Sequence, residues 1–149
     1  MAWIMTQNGY YSIVQKPWDI DEHTVTVRAR MWDDIDHAYE SIPEDARVGK
    51  IAEDQMADYR YRFRADKRAV AAWMMDNILD IDYDNFKDRV YDTQGPERAR
   101  VYARCWTELF NMQLSAMPQR HDWNAAEMVD EIDDVFAYAA PREDEDGQR

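Results

Sequence analysis

Two short runs in this chain alternate so strictly that only an extended backbone accommodates them. In residues 24–30 (TVTVRAR), Val25, Val27 and Ala29 fall on one side, and Thr24, Thr26, Arg28 and Arg30 on the other. In residues 58–64 (DYRYRFR), Tyr59, Tyr61 and Phe63 alternate with Arg60, Arg62 and Arg64. Successive side chains of a strand point to opposite faces, so each run reads as a strand with one apolar and one polar face. Placed side by side, the two strands carry Arg28, Arg30, Arg60, Arg62 and Arg64 on a single sheet face, with the aromatic residues turned inward. Like charges directly opposite one another destabilise a sheet. Such a face therefore needs interleaved carboxylates, a covering acidic element, or a bound anion such as a phosphate or RNA group.

The flanking segments supply the other elements. Residues 3–15 hold two β-like runs, WIMT and YYSIVQ, around Gln7-Asn8-Gly9, and Asn-Gly between apolar runs is a strong hairpin signal. Pro17 ends the second run, because it cannot donate to a ladder, and 19–23 reads as a polar loop. Residues 33–41 are helical, with Ile35, Ala38, Tyr39 and Ile42 at helical spacing, and Pro43 ends them. Residues 48–52 fit a short strand. Residues 65–79 are helical, with Asp66 as N-cap and Val70, Trp73, Met74 and Ile78 inward. A short helix over 84–91 turns Phe86 and Val90 inward. Gly95 suits its C-cap and Pro96 the first turn of the next helix, 97–112. There Val101, Cys105, Leu109 and Met112 form one stripe, with Tyr102, Trp106 and Phe110 alongside. Strands first and helices later predict an α+β fold: a small antiparallel sheet with helices packed on one face. The middle section suits a ferredoxin-like arrangement.

The end of the chain differs in charge. The 149 residues carry a net charge of −13. Residues 119–149 alone hold 10 acids and three arginines, giving −7. Within them, 119–141 predicts an acidic amphipathic helix packed on or beside a domain of residues 1–118. Asn124 and Glu127 have capping-box spacing, and Trp123, Val129, Ile132 and Phe136 form a narrow apolar stripe. Residues 142–149 (REDEDGQR) read as a disordered acidic tail. The acids are mainly Asp and the bases mainly Arg, a bias that a high-salt habitat or a GC-rich genome also produces. Such a surface repels nucleic acid and anionic membranes and attracts basic partners.

The blocks WIMTQNGYYSIVQKP, TVTVRAR, DYRYRFR, DIDYDNFKD and QGPERARVY, with Trp106 downstream, resemble blocks found in the same order in a family of small uncharacterised bacterial proteins. The resemblance covers residues 3–112 and stops before the acidic segment. It implies one compact domain to which 119–149 was added, and it implies no catalytic residues.

Candidate chemistry is sparse. Asp80, Asp82, Asp84 and Asn85 have the opening spacing of an EF-hand loop, but Asn85 and Tyr91 stand where that loop needs Gly and a bidentate Glu. A helix start capped by Asp82 or Asp84 accounts for them. His23, His37 and His121 lack zinc-site spacing, and Cys105 on an apolar stripe reads as a buried inert thiol. No phosphate loop or nucleophile elbow is present, so neither catalytic residues, nor a metal, nor a cofactor is expected.

The expected function is that of a small acidic, non-enzymatic binding protein in the cytoplasm. Its partner surface would be Asp122, Glu127, Asp130, Glu131, Asp133 and Asp134. Acids spaced along a helix imitate a phosphate track, so a basic nucleic-acid-binding protein is the expected partner. The sharpest form is a phage-type DNA-mimicking inhibitor of host defence, with no nucleic acid or membrane bound directly. The alternative is an anion-binding or enzymatic domain that uses Arg28, Arg30, Arg60, Arg62 and Arg64.

Overall fold

The computed structural model describes residues 1–116. They fall into two units, Met1–Asp84 and a second that begins at Asn85. In the first unit, both alternating runs lie in one five-stranded antiparallel sheet: β1 (Ala2–Thr6), β2 (Gly9–Val14), β3 (Thr24–Ala29), β4 (Arg47–Glu53) and β5 (Tyr61–Asp66). Its order is β1-β2-β3-β5-β4. The helices of this unit are α1 (Pro17–Ile20), α2 (Trp32–Ser41) and α3 (Lys67–Leu79).

The expected strands and helices over 24–79 are therefore present, and the fold is α+β with an antiparallel sheet. β5 enters between β3 and β4, so β3-α2-β4-β5-α3 has the split βαβ order of a ferredoxin-like half. The place beside β3 is filled from the N-terminal side, by β2 of the hairpin.

The core lies on one side of the sheet. Tyr11, Val25, Val27, Ala29, Phe63 and Ala65 from the strands meet Ile35 and Ala38 of α2, Ile42 just after it, and Val70 and Trp73 of α3. These side chains cluster because the strand parity and the helical stripe each place their apolar residues toward the other layer. Edge-to-face contacts of Tyr11 with Trp73 and of Tyr39 with Phe63 knit the two layers together. Asp66 caps α3 by accepting from the Arg68 and Ala69 backbone N–H groups, at 2.9 and 3.0 Å. Ile78, expected on the inner stripe, is instead 67% exposed. An apolar groove of about 490 Å³ runs along α3 beside the sheet, lined by Ile13, Val25, Val70, Met74, Ile78 and Leu79 among others.

The expected hairpin around Gln7-Asn8-Gly9 is present, turning over Gln7 and Asn8 with Thr6 opposite Gly9. Among the described residues only His23 is a non-glycine with positive φ. Gly9 is required for space: a Cβ there would lie 2.7 Å from the Tyr11 hydroxyl and 2.9 Å from the Asp34 carboxyl carbon. In β4 the ladder slips between Val48 and Ala52, where Gly49 takes φ +77 and its carbonyl accepts from the Tyr39 hydroxyl. This is a bulge that glycine makes inexpensive.

The second unit holds α4 (Phe86–Gln94) and α5 (Pro96–Ala116). Asn85, and not Asp82 or Asp84, caps α4 by accepting from the Lys87 N–H. Gly95 ends α4 at φ +85, and Pro96 opens α5, both as expected. In α5 the stripe of Val101, Leu109 and Met112 is exposed and Cys105 is half-buried, while Ala99 and Tyr102 are the buried positions. Tyr102 stacks on Phe86 of α4 at 5.8 Å, which fits this orientation; within α5, Trp106 stacks on Phe110 at 5.2 Å. No helix among the described residues is long and apolar enough to cross a membrane.

Candidate functional site

The face of the sheet opposite α2 and α3 carries the arginines. One cross-strand row runs Trp3, Ser12, Arg28, Arg62, Ala52 across all five strands. A second runs Val14, Thr26, Arg64, Val48. Arg28 and Arg62 are thus directly opposite one another, the like-charge pairing that the sequence forewarned of.

The arginines separate into two groups. Arg64, Arg60 and Arg62 each reach a carboxylate. Arg64 donates through Nε to Asp19 at 2.9 Å and through Nη2 to Glu22 at 2.8 Å. Arg60 pairs with Glu53, its Nε at 2.8 Å. Arg62 has Asp54 at 3.7 Å and donates to the Tyr59 carbonyl at 2.9 Å. The interleaved acids that the arrangement demands are therefore supplied by α1, the following turn, and the 53–54 end of β4.

Asp19 lies at the centre of the first group, although the sequence places it in a polar loop. It sits in α1, is 0% exposed, and accepts four hydrogen bonds. Oδ1 takes the Thr24 hydroxyl at 2.8 Å and Arg64 Nε at 2.9 Å. Oδ2 takes the Lys16 backbone N–H and the Thr26 hydroxyl, both at 2.9 Å. Burial pushes this carboxyl up. The Lys16 N–H, Arg64 and the two threonine hydroxyls outweigh that and hold it below the ordinary aspartate value. The Asp19 and Glu22 partners in turn raise Arg64. Four donors converging on one buried carboxylate make a structural clamp, which removes Arg64 from the set available to a ligand.

Arg28 and Arg30 form the second group. Neither has a carboxylate within ion-pair reach among the described residues. Arg28 donates through Nη2 to Ser12 Oγ at 2.7 Å and also touches the Met1 sulfur. Arg30 Nε reaches the Asp58 carbonyl at 3.4 Å. Both guanidinium groups lie over the Tyr59 ring, at 4.4 and 4.6 Å from its centroid. Tyr59 was expected to point into the core with Tyr61 and Phe63. It precedes β5, in a loop closed by the Asp54 N–H to Arg60 carbonyl bond, and its ring sits with the arginines. It is 2% exposed, and its hydroxyl has no hydrogen-bond partner among the described residues. Trp3, in the same row as Arg28, is 66% exposed.

The acidic candidates Asp122, Glu127, Asp130, Glu131, Asp133 and Asp134 lie outside the described residues. Among the described residues no group of three His, Cys, Asp or Glu side chains is arranged to hold a metal ion. No family model, curated protein or solved structure matches the chain.

Proposed function

We propose that this chain is a non-enzymatic binding protein whose acidic surface engages a positively charged protein partner. One observation carries the reading: the chain has an acid surplus of −13, and Arg60, Arg62 and Arg64 are already matched to carboxylates among the described residues. More than half of that surplus, −7, belongs to residues 119–149. A surface of one sign steers an oppositely charged partner and raises its association rate, with strong salt dependence. Basic proteins with an exposed charged groove are, above all, those that bind nucleic acid, so the sharpest form of the reading is a nucleic-acid mimic of the phage inhibitor type.

The experiment is a pull-down from host lysate with the full chain and with a 1–118 truncation, in low and high salt. A basic protein retained by the full chain, lost with the truncation and released by salt is the expected result. Equal retention by a folded truncation would overturn the assignment to 119–149.

A further inference from the structure

We propose that Arg28, Arg30 and Arg62, gathered around Tyr59 on the sheet face opposite α2 and α3, form a binding site for a phosphate-type oxyanion. The proposal does not depend on the function proposed for residues 119–149.

Charge is the first ground. Arg28 faces Arg62 directly across β3 and β5, where opposed Cβ atoms stand about 4.5–5.5 Å apart. Asp54 lies near Arg62 only, at 3.7 Å. Arg28 and Arg30 have no acid partner among the described residues, in a chain where acids outnumber bases 31 to 18. Two uncompensated guanidiniums in so acidic a chain mark a place where negative charge is left to be supplied from outside.

Hydrogen bonding points the same way. Arg28 Nε, Arg62 Nε and the Tyr59 hydroxyl are buried atoms without a partner among the described residues. All three can donate, and the two guanidinium Nε–H groups can do nothing else, so an acceptor would satisfy each of them. Buried polar groups are almost always paired, and an oxyanion brings several acceptors at once. Each arginine has further N–H groups beyond those spent on Ser12, Asp58 and Tyr59.

The groups are also held in place. The Tyr59 ring lies against both Arg28 and Arg30, and cation–π contact fixes the planes of the two guanidiniums. Side chains already immobilised lose less entropy on binding. A planar guanidinium fork then matches two oxygens of a phosphate. Trp3 stands in the same cross-strand row, two strands from Arg28, about 10 Å away. That is the separation at which an aromatic ring can take the ring of a phosphate ester whose phosphate sits on the arginines.

The test is isothermal titration of the full chain with inorganic phosphate and, separately, with adenosine monophosphate, at low salt. Saturable binding of phosphate is expected. Arg28→Gln and Arg30→Gln should each weaken it about tenfold or more, the loss of one charge-assisted contact. Arg60→Gln, whose partner is Glu53, should change it less than about twofold. Arg30 is exposed, so its substitution leaves the core untouched and keeps the test decisive if Arg28→Gln fails to fold. Tighter binding of the nucleotide, reduced to the phosphate level by Trp3→Ala, would make a phosphate ester the ligand. Equal binding of both would make it the free ion. Absence of saturation by either probe at about 10 mM, or unchanged binding in both arginine variants, overturns the proposal.

Discussion

Replacing Asp19 by Asn gives the sharpest check on how the arginine face is organised. The substitution keeps size and removes charge. Each carboxylate oxygen now takes two donors: Thr24 Oγ1 and Arg64 Nε on one, Lys16 N and Thr26 Oγ1 on the other. An asparagine turns one of those oxygens into an NH₂ group. The threonine hydroxyls can reverse and accept, but the Lys16 backbone N–H and Arg64 Nε–H cannot. Whichever way the amide is turned, one fixed donor faces another donor. The cost combines lost charge-assisted bonding with an unmade bond at a buried site, and a loss of about 3 kcal/mol is expected. That is a large share of the roughly 5–15 kcal/mol of a typical domain. Urea unfolding, followed by circular dichroism, measures it. The pH dependence supplies a second signature. Because the folded carboxyl is held below its ordinary value, the unfolded chain binds that proton more readily. Its stabilisation is complete above the unfolded value of about 3.9 and is lost as pH falls through the folded value. Asp19→Asn should therefore flatten the acid-side fall in stability. A variant within about 0.5 kcal/mol of wild type, with the acid slope unchanged, would refute the assignment of Asp19 as the clamp.

Further outcomes follow from the same geometry. Gly9→Ala should cost about 1–3 kcal/mol in a denaturant melt, because the added methyl meets the Tyr11 hydroxyl and the Asp34 carboxyl. Asp66→Ala should cost about 1 kcal/mol by the same assay, through the two N–H groups left at the start of α3. Phe63→Ala, at 2% exposure between the sheet and α2, should cost about 3–5 kcal/mol and lower the thermal midpoint accordingly. Ile78→Ser should stay within about 0.5 kcal/mol of wild type, since that side chain is already in solvent.

Residue parity made most of the first unit legible. Val25, Val27 and Phe63 face the helices, and Arg28, Arg62 and Arg64 face away, as the alternation requires. Asp66, Gly95 and Pro96 mark helix ends by local chemistry that acts within one turn. What parity cannot convey is pairing. The bond from Arg64 to Asp19 spans 45 positions, and nothing near Asp19 in sequence distinguishes it from the solvated Asp21 and Glu22 beside it. Pro17 and the alternating Thr24 and Thr26 were the available hint: a helix start followed by two hydroxyls aimed at one side. Tyr59 escaped because the strand begins only at Tyr61, so the alternation drawn through it lacks a ladder to enforce it. In α5 two apolar stripes compete at helical spacing, and aromatic stacking favours Tyr102 over Val101, a choice that spacing alone leaves open.

The position of β5 has a consequence for synthesis. Because the strand that joins β3 to β4 is the last of the five to be made, β4 emerges from the ribosome with no neighbour to pair with. A nascent chain with β4 outside the ribosome and β5 still in the exit tunnel has a three-stranded sheet open at β3 as well as at β1, and β4 waiting beyond α2. The open edge at β3 is the docking place for β5 and equally for a strand of another chain. The time residues 54–66 spend in the exit tunnel after β4 has left it therefore governs how much newly made protein is exposed to misassembly. Slowing translation during that interval should lower the soluble yield more than the same slowing after β5 has emerged.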